Sequence, residues 1–245
     1  MIENRGVEMF LLGTIVNGLL IIIGTFLGKF FQRISEEMKD AVLKVIGLAV
    51  MVLGLQMGFK SENYLIVILS LVIGTAIGEY FGWENKLNSV GNWLENKIGT
   101  KGQGSISQGF VTATLIFVIG AMSIIGALDS GIRGDHAVLY TKAIIDGFTS
   151  IILTSTLGIG VLFSAIPVVL YQGTIALFAT QIDSFIPKVL MDSFIVEMTS
   201  TGGVMIFAIG LNLAGITKIR VANLLPALII TGIIVSIIYG YSQYF

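Results

Sequence analysis

The chain predicts an all-α polytopic transmembrane helical bundle of about eight (seven to eight) spans, and three observations carry that prediction. Charged residues make up only 12% of the sequence, about half the share usual in soluble domains. Mean hydropathy is +0.93. Long apolar runs recur, and residues 109–128 contain no charge over 20 positions, enough to cross about 30 Å of hydrocarbon at about 1.5 Å per residue.

The same composition excludes several classes. With 14 basic against 15 acidic residues and no basic patch, nucleic acid is not an expected partner. The absence of cysteine removes disulfides, thiolate catalysis and cysteine-ligated metals together. The N-terminus lacks a basic stretch followed by a small-residue cleavage site, so no cleaved signal peptide is expected.

Residues 9–28 are the first span. Asn17 lies in its middle, and Gly24 and Gly28 form a small-xxx-small pair that admits another helix closely. Residues 29–40 read as interfacial, with Ser35 as an N-cap ahead of Glu36 and Glu37. The second span, 41–59, carries Gln56 and the pair Gly54 and Gly58. The third, 64–81, carries Gly74 and Gly78 and ends beside Glu79. Residues 83–99 are too polar to span, yet Leu87, Val90, Leu94 and Ile98 share one helical face, so this piece is expected on the membrane surface. Residues 100–108 read as a flexible loop.

The run 109–128 is the fourth span. After it comes a polar loop with Asp129, Arg133, Asp135, His136 and Lys142, whose glycines argue against helix at the tip. The loop, and with it His136, is expected outside the bilayer. One imidazole beside Asp129 and Asp135 is a poor preorganised metal site, so neither metal nor cofactor is expected. Asp146 lies one turn inside the next apolar run, where an unpaired carboxylate costs on the order of 3 kcal/mol. Lys142, four residues earlier on the same face, offers a local ion pair; the other reading of Asp146 is a cation or proton site facing a cavity.

Residues 143–182 are too long for one span and are expected to fold as two, turning near 163–167, with Tyr171 and Gln172 at depth in the second. Residues 183–200 read as a surface or re-entrant piece. A short seventh span, 201–216, begins at Gly202 and Gly203 after Thr199, Ser200 and Thr201. There a helix N-terminus at membrane depth would attract an anionic group. The eighth span, 221–241, carries Asn223 and Pro226. Nine basic residues fall on one side and five on the other, which places both termini outside under the positive-inside rule.

An internal echo joins the two ends of this single domain of residues 1–245. GTIVNGLLIIIG at Gly13 resembles GTIALFAT at Gly173, and VMVLGLQMG at Val50 resembles VMIFAIGLNLAG at Val204, setting Gln56 against Asn212. Units 9–82 and 165–241 would then form an inverted repeat around a central pair of spans at 108–163. Such repeats are common in secondary transporters, whose sites lie at the repeat interface near the midplane. The polar residues nominated on that plan are Asn17, Gln56, Asp146, Gln172 and Asn212, with Asn223 nearer an edge. Each has a plainer reading as an interhelical hydrogen bond worth about 0.6–2 kcal/mol.

The segments GFVTATLIFVIGAMSIIGALDSG, KAIIDGF, STLGIGVLFSA, YQG and VANLLPAL resemble those of the YdfK/YqgA family of bacterial membrane proteins, domain of unknown function 554. The resemblance runs from Met9 to about Gly232. It implies a protein of several helices in the bacterial inner membrane and brings no catalytic residues. Two functions stay open: transport of a small solute or ion, or a non-transporting scaffold or sensor in the lipid bilayer. The glycine faces would also support a homodimer. An enzyme is not expected, since no HExxH or GxSxG motif is present.

Overall fold

The computed structural model describes residues 10–30, 35–98 and 105–244. The expectations for the first eight residues, for 31–34 of the interfacial piece and for 100–104 of the flexible loop lie outside the described residues. Eleven α-helices occur among those described: α1 (Leu12–Phe30), α2 (Glu36–Gly58), α3 (Tyr64–Phe81), α4 (Trp83–Ile98), α5 (Ser105–Val118), α6 (Ala121–Arg133), α7 (Ala137–Leu157), α8 (Ala165–Leu177), α9 (Ala179–Phe185), α10 (Lys188–Leu213) and α11 (Pro226–Tyr244). Two 3-10 turns, Ile159–Ser164 and Val221–Leu224, lead into α8 and α11. No strand interrupts the helices among the described residues.

Local chemistry fixes several ends. Ser35 Oγ accepts the Met38 N–H at 3.3 Å, the expected N-cap of α2. α3 stops where Gly82 turns left-handed at φ 63° and returns its N–H to the Glu79 and Gly78 carbonyls, a glycine-closed C-terminus. Asp135 Oδ1 accepts the Ala137 N–H at 3.0 Å and starts α7.

The chain forms two compact units, the first from residues 1–39, 91–118 and 122–185, the second from 40–90, 119–121 and 186–245. In the first, α1 and α7 run parallel: Gly13 packs on Leu139, Gly24 on Gly147 and Gly28 on Ile151. α8 crosses α1 antiparallel, with Gly18 on Val169 and Gly173 on Leu11. In the second, α2 and α10 are antiparallel, Gly47 meeting Gly210 and Gly54 meeting Gly203. α3 and α11 are antiparallel as well, through Gly74 on Ala227 and Gly78 on Asn223. The glycines Gly24, Gly28, Gly54, Gly74 and Gly78 are thus used within the chain, so these faces are not free for a homodimer.

Among the described residues seven helices are long and apolar enough to cross a membrane, and an eighth crossing arises if the α5–α6 pair is one broken span. Packing inside the first unit supports one span. Ile106 near the start of α5 lies against Gly160, beyond the C-terminal end of α7, while Ser130 near the end of α6 bonds to His136 at the opposite end. The pair therefore traverses α7 from end to end.

Four expectations need correction. The run 109–128 is not one straight helix: it bends by 62° between α5 and α6, where Gly120 adopts φ 148°. Ser123 Oγ donates to the freed Phe117 carbonyl at 3.0 Å. The polar loop is largely helical, because α6 continues through Asp129 and Gly131 to Arg133 and only residues 134–136 lie outside helix. The turn expected at 163–167 comes at Gly158, φ 82°. Finally, residues 188–213 form one continuous 26-residue helix, so no helix begins at Gly202 and no anion-attracting N-terminus exists there. Those glycines serve close approach instead, Gly202 to Ile119 and Gly203 to the Gly58 backbone.

Candidate functional site

Three of the nominated residues come together in the first unit. Asn17 on α1 and Gln172 on α8 are both fully buried, and Asn17 Nδ2 donates to Gln172 Oε1 at 3.3 Å. Asp146, near the middle of α7, interacts with Asn17 and accepts from Lys142 Nζ at 2.6 Å. Lys142 and Asp146 are only 7% and 4% exposed, so the i,i+4 pair that the spacing predicted is buried within the protein. The Lys142 ammonium also stands 6.0 Å from the centre of the Phe117 ring, in the last turn of α5.

The amide pair is incompletely bonded. Asn17 Oδ1 and Gln172 Nε2 take no protein partner, leaving an acceptor and a donor next to a carboxylate and an ammonium. Such an arrangement can bind a small dipolar solute through the amides, or exchange a proton at the carboxylate. Its position follows from small residues: Gly18 and Gly173, each next to an amide residue, let α1 and α8 approach, while Gly24 admits Gly147 of α7.

Gly13 opens α1, whereas Gly173 lies in the last turns of α8. Asn17 and Gln172, each followed by a glycine, are hydrogen-bonded to each other across antiparallel helices. In the second unit Gly47 and Gly54 likewise face Gly210 and Gly203 at equal spacing.

Other candidates lie elsewhere. Gln56 is exposed in the last turn of α2 and joins no buried cluster. Asn212 closes the end of α10, donating to the Ile219 carbonyl at 2.7 Å and accepting from Thr217 Oγ1 and the Ile219 N–H. Neither is the midplane residue expected, because both stand within two residues of a helix C-terminus. Asn223 is buried near an edge, where its Oδ1 accepts the Glu84 N–H at 2.6 Å.

The loop charges are also dispersed. Asp129 and Arg133 pair on α6 and Asp135 caps α7. His136, expected outside the bilayer, is 7% exposed; its Nδ1 meets Ser130 Oγ at 2.6 Å, and that hydroxyl donates to the Phe10 carbonyl at 2.8 Å. No three metal-ligating side chains converge among the described residues.

Sequence reading missed Glu197. It is 3% exposed and accepts from Ser61 Oγ at 2.6 Å and from the Glu62 and Asn63 N–H groups at 3.0 Å each, holding α10 to the start of α3. The available signal was the polar triplet 61–63 directly before an uncharged run. Glu197→Ala, which strands these donors, is expected to cost about 3 kcal/mol in detergent unfolding, and Glu197→Gln about half as much. Equal stability of all three proteins would show the contact to be open to water.

The family profile described as "Protein of unknown function (DUF554)" matches residues 12–236. The chain is 34% identical to "Uncharacterized membrane protein YdfK" of Bacillus subtilis (strain 168), over 95% of this chain and 99% of that one. It is 28% identical to "Uncharacterized protein YqgA" of Escherichia coli (strain K12), over 89% and 94% respectively. No solved structure matches it significantly.

Proposed function

The chain belongs to the DUF554 family, and from that premise we propose that it is a transporter of a small polar solute or an ion in the bacterial cytoplasmic membrane, and not an enzyme. The observation that carries this reading is the half-bonded amide pair beside the buried Lys142–Asp146 pair. Most buried side-chain polar atoms in proteins have a hydrogen-bond partner. Here two buried polar atoms are left over, each costing about 1–3 kcal/mol, at the crossing of three spanning helices.

Two features support the reading. We infer an inverted repeat in which α1 and α8 correspond, as do α2 and α10, with the Asn17–Gln172 bond at the point where the first pair crosses. The site then lies where inverted-repeat transporters bind substrate. The broken α5–α6 span supplies an interrupted helix against it through Phe117 and Lys142, and non-helical backbone is tolerated at depth only where it is buried in protein or lines a cavity.

The absence of cysteine makes the natural chain a background for single-cysteine labelling. Asn17→Cys and Gln172→Cys are expected to react with a membrane-impermeant thiol reagent in both right-side-out and inside-out vesicles. Arg133→Cys, at a side chain 66% exposed, is the reactive control. Protection of both amide positions from both sides would mean a dry bundle, and the scaffold or sensor reading would replace transport.

A further inference from the structure

We propose that the ion carried is the proton and that it travels along a polar stripe running the length of α7; this rests on the transport reading above. His136, Lys142, Asp146, Ser150 and Thr154 are all buried, and from first to last they cover about 27 Å of helix, most of the hydrocarbon thickness. α1 lies along this face, Gly13 against His136, Gly24 against Ser150 and Gly28 against Thr154. It adds Thr14, Asn17 and Thr25, all fully buried.

Buried hydroxyls without a partner occur singly at Ser70, Thr114 and Thr199 as well, so what marks this stripe is their alignment along α7 beside two ionisable groups. Thr141, Thr149 and Thr174, outside the buried stripe, turn back onto the carbonyl four residues earlier, as hydroxyls in membrane helices commonly do. Thr14, Thr25 and Ser150 make no such bond and have no partner, and neither do His136 Nε2, Asn17 Oδ1 and Gln172 Nε2. These six buried polar groups lie on α1, on α8 and on or just before α7, helices that meet at Gly13, Gly18, Gly24 and Gly28, and the proposed path is the file that water would complete between them.

The charges select the proton over larger ions. A metal cation needs several oxygen ligands, and the one carboxylate in the file already holds an ammonium at 2.6 Å that would repel it. Asp146 in turn repels anions. Among the described residues, the other charges near the file are few. Asp129 and Arg133 of α6 pair with each other at the His136 end, Asp135 caps α7 there, and Lys29 closes the far end of α1. α5 and α8 present no charged side chain, Tyr171 being the one titratable group on α8.

The entry group is His136. Ser130 has one hydroxyl hydrogen and gives it to Phe10, so His136 Nδ1 carries the proton toward Ser130 Oγ and Nε2 remains a bare acceptor. A proton bound at Nε2 gives imidazolium. Its transfer through water breaks that N–H bond, forms an O–H bond on Asp146 and restores the neutral imidazole. The Asp146 carboxyl then releases the proton toward Ser150 and Thr154, and Lys142 remains an ammonium against Phe117 throughout.

The test uses the purified full chain in phosphatidylethanolamine and phosphatidylglycerol vesicles holding a pH-sensitive dye, with a valinomycin-set potassium potential as driving force. Wild type is expected to move protons above the level of empty vesicles. Asp146→Asn should lower the rate about 100-fold, as for loss of a positioned proton-transfer group. Ser150→Ala, at a hydroxyl without a partner, should fold as wild type and slow the flux severalfold. Wild-type flux in both variants, or none above empty vesicles in monodisperse wild type, overturns the proposal. If labelling at Asn17 still alternates between sides in that case, transport stands and only the proton assignment falls; if labelling fails too, both fall.

Discussion

Lys142→Met alone is expected to lose about 3–5 kcal/mol of stability, roughly 10 °C in Tm for a chain of this size, while Lys142→Met/Asp146→Leu recovers most of it. The single change leaves the Asp146 carboxylate 4% exposed with only Asn17 beside it. The double change removes both ions and fills the space with carbon, which for buried pairs is often neutral or stabilising. Thermal unfolding in one detergent measures all three proteins. The double variant also separates structure from function, because it should fold yet move no protons in vesicles. If Lys142→Met were as stable as wild type, the pair would be solvated and the file open even at rest.

Much of the architecture was legible because hydrophobic length and glycine spacing speak directly. The third span reads as 64–81 and forms as Tyr64–Phe81, bounded by a polar triplet and Gly82. The pairs Gly24/Gly28 and Gly74/Gly78 mark real helix contacts, and the i,i+4 spacing of Lys142 and Asp146 gives their ion pair. What failed depended on partners distant in sequence. The break at Gly120 is invisible in a run without a charge, since a glycine in an apolar helix and a glycine at a bend look alike. His136 does lie outside helix, but its burial is not legible, because Ser130 and the Phe10 carbonyl that cover it lie in other elements. Glu197 reads as a surface charge because its partners at Ser61, Glu62 and Asn63 are about 135 residues away. Gly202 and Gly203 read as a helix start, although the same residue type also permits contact through an unbroken helix.

Gly24→Ala is expected to destabilise the protein by about 1–3 kcal/mol, against the usual gain of up to about 1 kcal/mol for alanine in place of a helical glycine. A methyl group there would strike the Gly147 carbonyl of α7 and come within 3.0 Å of Ser150 Cβ. The obstacle is backbone, so no side chain can turn aside and the two helices must part. Gly147→Ala meets Leu20 at 3.2 Å and should cost less. Gly240→Ala, with nothing near it, should be neutral or stabilising. Gly28 makes the same kind of contact one turn on, against the Ile151 backbone, so Gly24→Ala/Gly28→Ala should cost less than the two single changes added, the first having already separated the helices. Parting α1 from α7 also widens the polar file, so proton leak should rise in these variants as stability falls. Equal stabilisation by Gly24→Ala and Gly240→Ala would place α1 away from α7, and the file between them would not exist.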